Sequence, residues 1–117
     1  MAIKRLQVGA RMSQAVIHNG TIYLAGQVAD DPDEDAGGQT RQILATIDGL
    51  LAECGSEKTR ILSAQIFLAD IGDFAAMNAV WDQWVPAGHT PARATVESKL
   101  ATPKYKVEIK VVAATAD

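Results

Sequence analysis

The chain has 117 residues, 48% hydrophobic and 21% charged, with a formal net charge of −3. That length suits one domain, residues 1–117, with a core of ordinary size, and the composition is that of a soluble globular protein. The acidic balance argues against non-specific nucleic-acid binding, which needs clustered Lys and Arg, and no uncharged apolar run is long enough for a membrane-spanning helix.

Lys4 and Arg5 have no apolar stretch behind them, so no signal peptide is expected. Cys54 is the single cysteine and can form no internal disulfide, which leaves the cytoplasm as the default compartment. Ile3 to Val8 reads as a short first strand. Ser13 to His18 and Thr21 to Ala25 read as a hairpin around Asn19-Gly20, a favoured type I′ turn pair. Gly26 ends the second of these strands and permits close backbone approach. Asp30 to Gly38 is an acidic loop. Its Asp31, Asp33 and Asp35 alternate like the start of a calcium loop, but Ala36 and Gln42 occupy the positions where that motif needs Gly and Glu.

Gln39 to Cys54 has helical periodicity, with Ile43, Ile47, Leu50, Leu51 and Cys54 on one stripe and Gly55 placed to end it. Arg60 to Ala69 alternates as a strand, with Ile61, Ser63, Gln65 and Phe67 against Leu62, Ala64, Ile66 and Leu68. Phe74 to Trp84 reads as a second helix, capped by Asp73, with Phe74, Met77, Trp81 and Trp84 as its core stripe and Asn78 off it. Val85 to Pro91 is a loop.

Two strands complete the chain. Arg93, Thr95 and Glu97 share one face of the first, opposite Ala94 and Val96. In the second, Tyr105, Val107, Ile109, Val111 and Ala113 face away from Lys104, Lys106, Glu108 and Lys110. The order β-β-β-α-β-α-β-β predicts an α+β fold, a mixed and mostly antiparallel sheet with two helices on one face. The chain is too short to cover the other face, so self-association is expected.

Little covalent chemistry is available. His18 and His89 do not stand at ligand spacing from Cys54 or a carboxylate cluster, no phosphate-binding glycine loop precedes a helix, and no Gly-x-Ser-x-Gly elbow occurs. No metal or cofactor is expected. Should the last two strands pair, Arg93 and Glu108 form either a surface ion pair of small consequence or a charged site. In the second case Arg93 can grip a carboxylate with two hydrogen bonds and Glu108 can handle a proton or a water.

Thr90-Pro91-Ala92-Arg93-Ala94-Thr95-Val96-Glu97 followed by Val107-Glu108-Ile109-Lys110-Val111-Val112-Ala113 resembles the C-terminal signature of the reactive-intermediate deaminases, the RidA/YjgF family, also described as endoribonuclease L-PSP-like. Ala25-Gly26-Gln27 and Asp73-Phe74-Ala75-Ala76-Met77-Asn78 resemble two further motifs of that family, in the expected order. The resemblance implies a chorismate-mutase-like subunit in a homotrimer, with the sheets forming a central barrel and a cleft at each subunit interface. It implies hydrolysis of enamines and imines such as 2-aminoacrylate and 2-iminopropionate to a 2-keto acid and ammonia. Arg93 would bind the substrate carboxylate, and Glu108 would orient or activate water. Backbone at Thr95 and Gly26 would meet the imine nitrogen and the water. Asn78, Ala25 and Met12 match positions near the ligand. This sequence departs from the members nearest the best-known bacterial deaminase, which carry cysteine at Thr95, serine at Ala25 and tyrosine at Met12. A pocket with Met12 and Ala25 implies a more apolar imine.

Overall fold

Asn19 and Gly20 take φ of 52° and 75°, the two-residue turn whose twist matches that of paired strands. They join β2 (Ser13–His18) to β3 (Thr21–Leu24), with His18 opposite Thr21. The computed structural model describes residues 2–116. Its remaining elements are β1 (Lys4–Val8), α1 (Ala36–Glu53), β4 (Ile61–Leu68), α2 (Phe74–Trp84), β5 (Ala92–Glu97) and β6 (Val107–Ala114). Single 3₁₀ turns occupy Lys58–Arg60 and Ile71–Asp73. The element order is the one that the sequence predicts.

The strands form one six-stranded sheet in the order β1-β2-β3-β6-β4-β5. β4 and β5 pair in parallel, joined through α2, and the other pairings are antiparallel. The last two strands therefore do not pair, so the condition set for an Arg93–Glu108 site on paired strands is not met: β4 lies between them. A parallel pair requires a crossover, and α2 supplies it by returning the chain to the sheet edge.

One sheet face is apolar and covered by the helices. Ile22, Leu24, Ile66, Leu68, Val107, Ile109 and Val111 on the strands are buried with Ile43, Leu44, Ile47, Leu51, Met77 and Trp81 on the helices. The opposite face is open. Tyr23 and Val96 keep 47% and 42% of their surface exposed there, in line with the expectation that this chain leaves one face without a cover.

Several local expectations change. α1 begins at Ala36, not Gln39, because Asp35 caps it by accepting from the Gly38 amide at 2.8 Å; the acidic loop accordingly ends at Asp35. Gly55, at φ 71°, closes the helix as predicted, with Ser56 N–H donating to Leu51 O at 2.8 Å. Asp73 stands at the N-cap of α2 but makes no capping bond. An irregularity between Ile61 and Ser63 breaks the alternation of β4, so Ile61 and Ala64 are both buried while Leu62 is exposed. The predicted core stripe of α2 also divides: Met77 and Trp81 are buried, whereas Phe74 is 38% exposed.

Candidate functional site

The predicted site residues fall into two groups. The first is built by β5 and α2. Phe74, Asn78 and Trp81 stand at i, i+4 and i+7, one face of α2, and that face meets Arg93. The Arg93 Nη1 donates to Asn78 Oδ1 at 2.7 Å. Its Cζ lies 5.3 Å from the Trp81 ring centre and 5.8 Å from that of Phe74, within cation–π range. Among the described residues the one ion pair joins Lys104 to Asp33 at 4.0 Å, so Arg93 has no carboxylate partner. Thr95 shares the face of Arg93, two residues on, and its buried hydroxyl has no hydrogen-bond partner among the described residues. Such an orphan asks for an explanation, because buried hydroxyls are normally satisfied.

The second group gathers at the start of β6. Backbone bonds of 2.9 and 3.0 Å between Gln27 and Ile109 draw the Ala25-Gly26-Gln27 turn against this strand. Gly26 then faces Glu108 so closely that a Cβ there would overlap the carboxylate. The close approach that Gly26 permits here is that of a side chain, Glu108, and not of backbone as the sequence suggests. The Gln27 amide is nearly buried and donates to Gln14 Oε1 at 2.9 Å and to Ala25 O at 3.0 Å. Ala25 N–H donates to Gln14 O at 2.9 Å, fixing Ala25 to β2. Met12, two residues before Gln14, is half exposed.

The two groups do not meet within one chain. Arg93 is level with Ala64, which is level with Val111. Cross-strand neighbours share a face, and Val111 and Glu108 are an odd number of residues apart, so Arg93 and Glu108 point to opposite faces of the sheet. Arg93 lies on the helix side. Glu108 lies on the open side, level with Phe67 and Val96. A groove of about 420 Å³ on this side, between β5 and β6, is lined by Ser63, Gln65, Ala94, Lys110 and Val112 and reaches Arg93. Either of the sequence readings for an Arg93–Glu108 pair on neighbouring strands is thereby excluded within one chain.

Sequence reasoning missed Phe74 and Trp81 as neighbours of Arg93. The signal was present in their spacing about Asn78, but it is the same spacing that a core stripe shows. Elsewhere, burial pushes the Cys54 thiol up from its ordinary pKa, and the Glu53 carboxylate adds to this while Lys4 opposes it. Among the described residues no three His, Cys, Asp or Glu side chains gather as a metal site, and no helix is long and apolar enough to cross a membrane.

An α+β chain with one open sheet face and, at its edge, an arginine without a carboxylate partner among the described residues is the class of protein that fold and site define. The family model described as endoribonuclease L-PSP matches residues 2–115. A RutC family protein of Escherichia coli, YoaB, is 56% identical over 97% of this chain and 99% of its own. One from Haemophilus influenzae is 50% identical over 97% of this chain and 98% of its own. A crystal structure of a YjgF-family member from Neisseria meningitidis superposes with a TM-score of 0.97 at 50% identity, covering 100% of this chain and 98% of that one. The chain belongs to the RidA/YjgF family.

Proposed function

We propose that this protein hydrolyses reactive enamine and imine intermediates of the 2-aminoacrylate/2-iminopropionate type to a 2-keto acid and ammonia, in clefts between the subunits of a homotrimer. The observation that carries this reading is the Arg93 guanidinium: held by α2, and without a carboxylate partner among the described residues. A prepared cation of this kind suits the carboxylate of a small acid, which it can meet with two parallel hydrogen bonds. The trimer is supported by the placement of the two groups. A site that uses both Arg93 and Glu108 draws them from different copies, and sheets packed through their open faces into a chorismate-mutase-like central barrel would bring copies together there.

In the proposed reaction Arg93 of one copy binds the carboxylate of the imino acid. Glu108 of another takes a proton from water as its oxygen bonds to the imine carbon. The C=N π electrons move to nitrogen, which takes that proton from Glu108. Glu108 then passes the hydroxyl proton of the resulting carbinolamine to its amine nitrogen, the C–N bond breaks with its electrons leaving as ammonia, and the oxygen lone pair forms the C=O of the keto acid. Backbone at Gly26 and Thr95 meets the water and the nitrogen. An imine carbon is already electrophilic, so acid–base help of about 10²–10⁴-fold is a sufficient role for Glu108. Asn78 keeps Arg93 in place. Ala25 and Met12 present apolar surface and favour imines with larger apolar side chains. No cofactor takes part, and the setting is the cytoplasm.

A second reading, a non-catalytic binder of small carboxylates, draws on Ala25, which offers no hydroxyl beside Gly26 and Glu108. An RNA-cleaving role, suggested by the family description, sits poorly with a net charge of −3. The test is competition with semicarbazide for imines that an amino-acid oxidase generates from alanine, leucine and an aromatic amino acid. Wild type suppresses semicarbazone formation and Arg93→Ala does not. If the wild type competes for none of these imines, the deaminase reading is wrong; saturable binding of a 2-keto acid then favours the binder.

A further inference from the structure

Arg93 extends from an edge strand, yet its fixed contacts come from a helix. A guanidinium offers two different surfaces. Its flat faces attract aromatic rings, and its edge donates up to five hydrogen bonds. The guanidinium carbon lies over the buried ring of Trp81 and over the partly exposed ring of Phe74. Asn78 takes one bond from Nη1. Ring contacts constrain the plane of the group. The amide constrains its rotation within that plane. Neither consumes the remaining edge donors, and among the described residues Asn78 is the one hydrogen-bond partner of the guanidinium.

We propose that Phe74, Asn78 and Trp81 are positioning residues: together they hold the Arg93 guanidinium in one orientation, with its unoccupied edge presented to the carboxylate of a 2-imino or 2-keto acid. This inference rests on the carboxylate-binding reading of Arg93. It adds that affinity depends on a cradle made by α2, and that the neutrality of Asn78 is essential. Its amide oxygen accepts from Arg93 without cancelling the charge. A carboxylate at the same place, 2.7 Å from Nη1, would form an internal ion pair and compete with the ligand.

The experiment is titration calorimetry of 2-oxobutanoate with the assembled protein, paired with KM and kcat for an imine that it hydrolyses. Asn78→Asp, nearly equal to asparagine in size, weakens binding about tenfold or more, by internal competition for a charge-assisted bond. Phe74→Leu keeps apolar bulk but loses the ring. It raises Kd and KM about two- to fivefold, the worth of a partly exposed cation–π contact, and leaves kcat unchanged. Phe74→Tyr restores wild-type values. Melting temperatures of all three match wild type, which separates positioning from folding. If wild type binds and turns over while Asn78→Asp and Phe74→Leu do the same with unaltered Kd and KM, the cradle is refuted and the function stands. If wild type binds no keto acid and consumes no imine, the function reading fails and this inference with it.

Discussion

Gly26→Ala is the most informative single substitution in this protein. Gly26 has no positive φ, so alanine meets no backbone objection. The added Cβ would overlap the end of the Glu108 side chain and come within 3.1 Å of its Cδ and 3.4 Å of its Cγ. What it strikes is the tip of a flexible side chain, which yields by leaving its rotamer. Such a departure costs about 0.5–1.5 kcal/mol, a fall in melting temperature of about 2–6 °C for a domain of this size. The displaced carboxylate, however, moves by about 1 Å, and a misplacement of that size can lower turnover about 10²-fold. That loss corresponds to about 2.7 kcal/mol of transition-state stabilisation. Semicarbazide competition measures the rate, and calorimetric melting measures the stability. The expected result is a large fall in rate with a small fall in stability. In Glu108→Ala the same glycine change adds almost nothing, because the group it disturbs is gone. Turnover retained within twofold in Gly26→Ala would refute the role given to Glu108, as would full additivity with Glu108→Ala.

Three further predictions follow from other parts of the molecule. Gln39→Leu destabilises by about 1–3 kcal/mol, because its fully buried amide donates to Pro32 O, Glu34 O and Lys104 O and accepts from Lys106 N; a lower melting temperature and faster hydrogen exchange at the Lys106 amide check this. Arg93→Lys keeps the charge but loses the planar fork that can bind a carboxylate with two parallel bonds, so 2-keto acid binding weakens by about tenfold or more; calorimetry with unchanged Kd would contradict it. Cys54 reacts with iodoacetamide at neutral pH more slowly than a small free thiol, since burial and Glu53 raise its pKa and lower its thiolate fraction; mass spectrometry follows the alkylated fraction with time.

The fold was legible in the sequence wherever a pattern is local. Asn19-Gly20 fixed the hairpin because few residue pairs accept two positive φ values in succession, and the alternation from Val107 to Ala113 identified a strand with one buried face. The start of α1 was obscured because Gly37 and Gly38 are poor helix formers, and the single capping bond from Asp35 outweighs that weakness. Strand adjacency was not legible. Arg93 and Glu108 lie on strands that follow one another in the chain, but β4, laid down earlier, separates them. Nothing in the spacing of two strands states which third strand will enter between them. The role of α2 was hidden for a different reason: Phe74, Asn78 and Trp81 carry one helical period, and periodicity alone does not tell an apolar core from a surface that holds a guanidinium.

The position of β6 bears on how the chain reaches its fold. This strand follows all the others in sequence but occupies the middle of the sheet, paired with β3 on one side and β4 on the other. The hairpin units β1-β2-β3 and the β4-α2-β5 crossover have no pairing with each other except through it. During synthesis the two halves therefore wait, their inner strand edges unpaired, until residues 107–114 leave the ribosome. Closure of long loops at this last step makes folding slow relative to local contacts, and the waiting edges are the surfaces most prone to pair with a neighbouring nascent chain.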